Sequence, residues 1–174
     1  MSPKPGEFIF IMLKPAAAND LELSNFIIQE LAQYGYIKHK RKSVLMSKGK
    51  ILEHYKASKS SLWYPIITNY FQNKLMQCFI LEYEYDISID KYQYSFGDFL
   101  KKEVIGPSDI CRTRKHHIRR LALRKSTFLL DNLVHSSDNS REALEEIRLW
   151  YQDEPQVIAE YEVKALALNV FTAP

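Results

Sequence analysis

Six consecutive apolar residues, FIFIML at 8 to 13, stand near the start of the chain. A strand sends successive side chains to opposite faces, so a run with no polar residue has both faces covered. Such a strand belongs inside a sheet, and the rest of the chain must supply what covers it. Pro15 ends the run, since proline has no N–H to donate to a ladder.

The elements that follow are punctuated by caps and breakers. Asn19 reads as a helix cap, with Glu22 three residues on as its capping-box partner. Leu23, Phe26, Ile27, Leu31 and Tyr34 recur at helical spacing until Gly35 stops them. A second strand is predicted over residues 37–46, its KHKRK segment forming a solvated, aggregation-blocking edge. Ser47 caps a short helix through Tyr55, and another helix follows Pro65 to near Asn73. Residues 76–83 read as a third strand, residues 84–97 as a tyrosine-rich loop, and residues 98–105 as a short helix closed by Gly106-Pro107. An apolar run leads to His135, and Asn139 with Glu142 caps a helix to about Trp150. The tail, residues 152–174, shows no clear pattern.

This alternation predicts a single α+β domain with its core over residues 8–151. The simplest arrangement is the ferredoxin-like split βαβ: a four-stranded antiparallel sheet covered by helices, placed on one face.

Composition narrows the function classes. With 46% hydrophobic and 26% charged residues, the chain has enough apolar material for a real core. No stretch approaches the ~18 apolar residues of a membrane span. The first apolar run is too short for a secretory signal, so a cytoplasmic protein is expected. Cys78 and Cys111 do not suggest a disulfide framework. Between Arg112 and Lys125 basic residues accumulate with no acid among them, which points to an anionic partner. Nucleic acid is disfavoured, because that segment offers no ring for base stacking beyond His116 and His117. Cys111 with those two histidines lacks the spacing and fourth partner of a zinc site.

Four pieces in order carry a more specific signal. They are FIMLKP at 10 to 15, the string from His54-Tyr55 to Pro65, Gly106-Pro107-Ser108-Asp109, and Asn132-x-x-His135-x-Ser137-Asp138 followed by Glu146-x-x-x-Trp150. Together they resemble the nucleoside diphosphate kinase family over nearly the whole chain. The resemblance implies transfer of a γ-phosphoryl group between nucleotides through a phosphohistidine on His135. Neutral imidazole suits that work, being nucleophilic near pH 7. The resemblance also implies that Glu146 orients the ring, that Lys14 contacts phosphate and that Tyr55 stands beside the reactive group. It further implies that Ser108, Lys102, Arg120 and Asn132 line the phosphate site and that a base stacks on Trp63. Mg²⁺ as cofactor, nucleoside di- and triphosphates as partners and a homo-oligomer follow in the same way.

The chain departs from the family at several positions. Ala16-Ala17-Ala18-Asn19 replaces an Asp-Gly-Val stretch and its arginine, and Ser61 stands where the family has a phosphate-binding arginine. Lys102 replaces an arginine, keeping charge but losing the fork. Ala122 falls where the family counts an arginine back from the histidine, with Arg119, Arg120 and Arg124 nearby. These departures keep a second reading open: a weak or inactive kinase-like module that binds nucleotide and regulates or recruits a partner.

Overall fold

The computed structural model describes residues 3–39, 42–84, 89 and 91–170. Strand β1 (Phe8–Leu13) is fully buried along its length, as an unbroken apolar run demands. It pairs antiparallel with β4 (Leu75–Glu82) on one side and β5 (Val134–Ser136) on the other. The outer edge of β4 carries two short pieces in tandem: β2 (Tyr36–Ile37) opposite Leu81 and Glu82, and β3 (Lys42–Leu45) opposite residues 75–78. The expected strand over residues 37–46 is thus one edge strand in two parts. Within it Lys40 and Arg41 lie outside the described residues. Counting that edge once restores the four-strand order of the ferredoxin-like split βαβ.

The expectation of helices on one face is corrected by the packing. Ile9, Ile11 and Leu13 point to a layer containing α2 (Leu21–Ala32). Phe8, Phe10 and Met12 point to the opposite layer, made by α3 (Lys48–His54), α4 (Tyr64–Phe71) and two C-terminal helices. Two buried faces on one strand require two covers, and the strand's own sequence had carried that information.

Local capping differs in one place. Asp20, not Asn19, caps α2, its carboxylate accepting the Leu23 N–H at 3.0 Å. Asn19 instead donates to the Pro15 carbonyl and closes the one-turn helix α1 (Pro15–Ala18). Ser47 caps α3 as expected. Asn139 likewise caps α7 (Ser140–Trp150), accepting from Glu142 N.

Residues 85–88 and 90 of the expected tyrosine-rich loop lie outside the described residues; its last two, Phe96 and Gly97, already belong to helix α5 (Phe96–Phe99), which starts two residues before the helix expected from Asp98. That helix continues through a wide turn, Leu100–Ile105, in which Gly106 N–H reaches back five residues to the Lys101 carbonyl. Gly106 ends it at φ +89, where an added Cβ would lie 2.7 Å from His117. Gly106→Ala is therefore expected to destabilise the protein by at least about 2 kcal/mol, combining left-handed strain with a clash, as measured by chemical denaturation.

The unpatterned tail forms α8 (Pro155–Ala167), seated across α7 and the sheet. Tyr161 packs on Phe8 and donates to the buried Glu82 at 2.6 Å. Two residues of the basic edge segment enter the same contact: Lys42 pairs with Asp153 and Glu154, and His39 lies 3.3 Å from Glu160. Lys42 thereby holds the tail, while Lys38 is exposed as expected of a solvated edge. The short helix α6 (Ala122–Lys125) precedes the loop into β5. Cys78 and Cys111 are both free thiols.

Candidate active site

His135 sits mid-way along β5 opposite Met12, which puts its ring on the face covered by α3, α4 and α7. Its Nε2 lies 2.6 Å from Glu146 Oε1, and the carboxylate is almost fully buried on α7. The ring packs against Phe10 and meets His54 edge-on at 4.5 Å between centroids. About a fifth of the His135 side chain remains exposed, so the ring is held but reachable.

His54 ends α3 with its side chain out of solvent, accepting the Trp150 N–H at Nδ1 across 3.2 Å. Tyr55 follows, its ring stacked on Phe71 and its hydroxyl buried without a partner among the described residues. The Lys14 ammonium lies over that same Phe71 ring at 5.5 Å. It donates to the Leu130 carbonyl at 2.8 Å and to Asn132 Oδ1 at 2.9 Å, and Asn132 in turn donates to the Ser108 carbonyl at 2.8 Å. The end of β1, the turn into β5 and the loop after Gly106 are tied together by that chain of bonds. Lys14, Tyr55, Ser108, Asn132, His135 and Glu146 are therefore neighbours, although the sequence spreads them over nearly the whole core.

Two expected residues are elsewhere, each displaced by one position. Arg120 is exposed, while Arg119 is buried and enters the site. Arg119 donates from Nη1 to the Gly106 carbonyl at 2.6 Å and from Nε and Nη2 to the Val134 carbonyl at 3.1 and 2.8 Å. The tight turn Ile118–Leu121 decides which of the adjacent arginines faces in. Lys102 projects outward over the Tyr94 ring, 3.9 Å from Asp98. Lys101 takes the inner position, paired with Asp138 and near enough for its charge to act on His135. Counting four residues back from Gly106 selects Lys102. The wide turn holds an extra residue, so the inward position is five back.

Burial and the charges of Lys14, Lys101 and Arg119 push His135 well below the usual imidazole range. Its ring is therefore neutral and nucleophilic near pH 7. Burial raises the Glu146 carboxyl, with His54 opposing. The two are joined by one short hydrogen bond, and in the neutral tautomer with its proton on Nε2 the Nδ1 lone pair is free. Lys14 is pushed down to about 7 by burial and by Arg119, with Asp131 pulling the other way. Asp131 is itself buried, accepting from Ala16 N and from Tyr70 hydroxyl, each at 3.0 Å. A carboxylate thus stands against Ala16, where the resembling family carries an aspartate in its own chain.

A profile described as nucleoside diphosphate kinase matches residues 7–155. The chain belongs to the nucleoside diphosphate kinase family. Among solved structures it resembles the nucleoside diphosphate kinase of Encephalitozoon cuniculi, with 22% identity over 83% of this chain and 88% of that one at a TM-score of 0.64. The Aquifex aeolicus nucleoside diphosphate kinase gives 22% identity, 82% and 93% coverage and a TM-score of 0.60. A nucleoside diphosphate kinase family protein from Babesia bovis gives 19%, 85% and 90%, with a TM-score of 0.63. Likeness at that identity establishes the shared fold. A search of curated protein sequences returned no match.

Within this family fold, Trp63 stands at the start of α4 more than half exposed, and no other described ring packs on it. It is not a core tryptophan. Ser61 occupies the turn just before, its N–H bonded to the Ser58 carbonyl. Sequence reasoning weighed Arg119 with Arg120 and Arg124 and favoured Arg120; it passed over His54, Lys101 and Asp131. His54 was within reach, since it adjoins Tyr55 in the quoted string; the other two needed turn geometry that no periodicity encodes.

Proposed function

We propose that this family member transfers the γ-phosphoryl group of a nucleoside triphosphate to a nucleoside diphosphate through a phosphohistidine at Nδ1 of His135. The observation that carries the reading is the 2.6 Å bond between His135 Nε2 and Glu146, with the charges of Lys14, Lys101 and Arg119 acting on the same ring. Donation of Nε2–H to Glu146 leaves the Nδ1 lone pair for in-line attack on phosphorus. As the N–P bond forms and the bond to the leaving diphosphate oxygen breaks, the ring gains positive charge, which Glu146 offsets. Lys14, Lys101 and Arg119 answer the negative charge on the phosphoryl oxygens, and the buried Tyr55 hydroxyl is a donor available to one of them. Reversal onto a second diphosphate regenerates the free ring.

Asn132 bonds the Lys14 ammonium, the Arg119 charge acts on it, and Asp131 is the one carboxylate acting on it, a setting that fits a triphosphate bringing Mg²⁺ on its own oxygens. Bound there, Mg²⁺ would neutralise phosphate charge and orient the transferring group. Trp63 offers its free face to the base, and contact through a π-face suits broad base tolerance. A homo-oligomer and a cytoplasmic setting complete the reading. Among the described residues no helix is long and apolar enough to cross a membrane.

Incubation with γ-labelled ATP and Mg²⁺ tests this reading. The label should appear on the protein in acid-labile, base-stable form and move to added GDP. Bound nucleotide with no label would support the second reading, a nucleotide-binding regulatory module. That reading draws on Ser61, which brings no charge to a position where the family has arginine.

Lys14 gives a pH signature. In the free protein at pH 8 an ammonium with pKa about 7 is roughly nine-tenths neutral, and a bound triphosphate should restore its charge. Binding at pH 8 is thus expected to take up about 0.9 proton, falling to about 0.1 at pH 6. Affinity should accordingly weaken as pH rises above 7. Calorimetry in buffers of different ionisation enthalpy measures the uptake, and Lys14→Met should abolish it.

A further inference from the structure

We propose that His54, His135 and Glu146 form a binding site for a divalent metal of the zinc type, and that its occupancy withdraws His135 from phosphotransfer. The second clause rests on the function proposed above; the site itself does not. One donor atom from each of the three residues lies within 4.8 Å of the others. Glu146 Oε1 is 2.6 Å from His135 Nε2 and 3.6 Å from His54 Nδ1. Zinc bonds of about 2.0–2.2 Å place tetrahedral donors roughly 3.3 Å apart, so the two oxygen–nitrogen gaps need sub-ångström adjustment, and the two imidazole nitrogens, within 4.8 Å of each other, close by at most about 1.5 Å. Two imidazoles and one carboxylate are a familiar zinc donor set, leaving a further position for water.

Three more observations favour a cation. Donation by Trp150 to His54 Nδ1 marks that nitrogen as the unprotonated one, so the lone pair a metal needs is already present. Its capture displaces a single 3.2 Å hydrogen bond. Glu146 Oε2 is buried without a partner, leaving the carboxylate unsatisfied on the side away from His135. A hollow of about 120 Å³ reaches His54 and Glu146; Glu53, Glu142 and Glu145 line it with one cation, Lys56, which pairs with Glu53, so the approach keeps a net acidic character. Mg²⁺ is a poor match, since it prefers oxygen ligands in octahedral array.

A metal takes the lone-pair nitrogen of a neutral imidazole, so its binding at Nε2 moves the ring's single proton from Nε2 to Nδ1. It also occupies the carboxylate that would otherwise offset the charge of phosphorylation. Nδ1, now protonated, has no lone pair for attack on phosphorus, while the nucleotide cradle around Lys14 stays intact.

The test titrates the unmutated 174-residue chain with Co²⁺ and then Zn²⁺, without nucleotide, against a chromophoric chelator. One equivalent of Co²⁺ should develop visible absorption that an equivalent of Zn²⁺ abolishes and excess Mg²⁺ leaves unchanged. On the unmutated protein, Zn²⁺ should shift the NMR ring signals of His54 and His135 and spare those of His39, His116 and His117. His54→Ala and Glu146→Gln should each weaken binding by about 100-fold or more. No stoichiometric uptake, shifts confined to the other histidines, or a folded His54→Ala variant binding as tightly as the parent would overturn the site. Zinc occupancy that leaves labelling of His135 unchanged would overturn the inhibitory clause. Metal uptake in a protein that never labels would leave the site standing and remove the kinase reading instead.

Discussion

His135→Ala is expected to lower phosphotransfer by roughly 10⁶-fold, the scale seen when an essential nucleophile is removed. Stability should fall by about 1–3 kcal/mol, because the buried Glu146 carboxylate loses its 2.6 Å partner, leaving a folded protein to assay. Labelling with γ-labelled ATP should vanish while triphosphate binding persists, since Lys14 and Asn132 hold each other without help from the ring. Equal labelling of variant and parent would place the phosphoryl acceptor on another residue. Glu146→Gln serves as its companion: the amide keeps the shape but cannot offset the ring's charge, so labelling should slow rather than disappear.

The adjacent arginines provide the second large contrast. Arg119→Ala removes a buried guanidinium that satisfies the carbonyls of Gly106 and Val134. Losing those charge-assisted bonds is expected to cost about 3 kcal/mol of stability, read by denaturant unfolding. The rate should fall by about 10²- to 10³-fold, because a fixed positive charge leaves the phosphoryl site and the loop carrying Ser108 loses its anchor. Arg119→Lys should recover little of this, since an ammonium cannot bridge both carbonyls in the guanidinium's fork geometry. Arg120→Ala, one residue along on the exposed side, should alter both quantities only slightly. If the Arg120 variant proved the damaging one, the assignment of the inner arginine would be reversed.

Much of this arrangement could be read from the chain. FIFIML specifies a strand buried on both faces, and Ser47 and Asn139 specify the starts of their helices through a side-chain oxygen offered to a backbone N–H. Lys14, Tyr55, Asn132, His135 and Glu146 were legible because each lies in a string with fixed neighbours. Asn19 misled because Asp20 beside it is an equally good cap, and only the path of α1 selects between them. The tail was illegible because α8 is stabilised by what it lies against, Phe8, Glu82 and Lys42 or their neighbours, rather than by any contrast between its own faces.

What the sequence determined by itself was the inventory: a central apolar strand, the capped helices and a histidine followed by an acid one helix later. Only the tertiary structure decided which of two adjacent cations faces inward, at 101 against 102 and at 119 against 120. One extra residue in a helical turn, or one tight turn, swings a side chain from solvent to site, and local hydrogen bonding sets that phase. Hydrophobic pattern tolerates either choice, because both members of each pair are long, charged and adjacent in the chain. The buried carbonyls of Gly106 and Val134 do not tolerate it: they need a donor, and Arg119 reaches them.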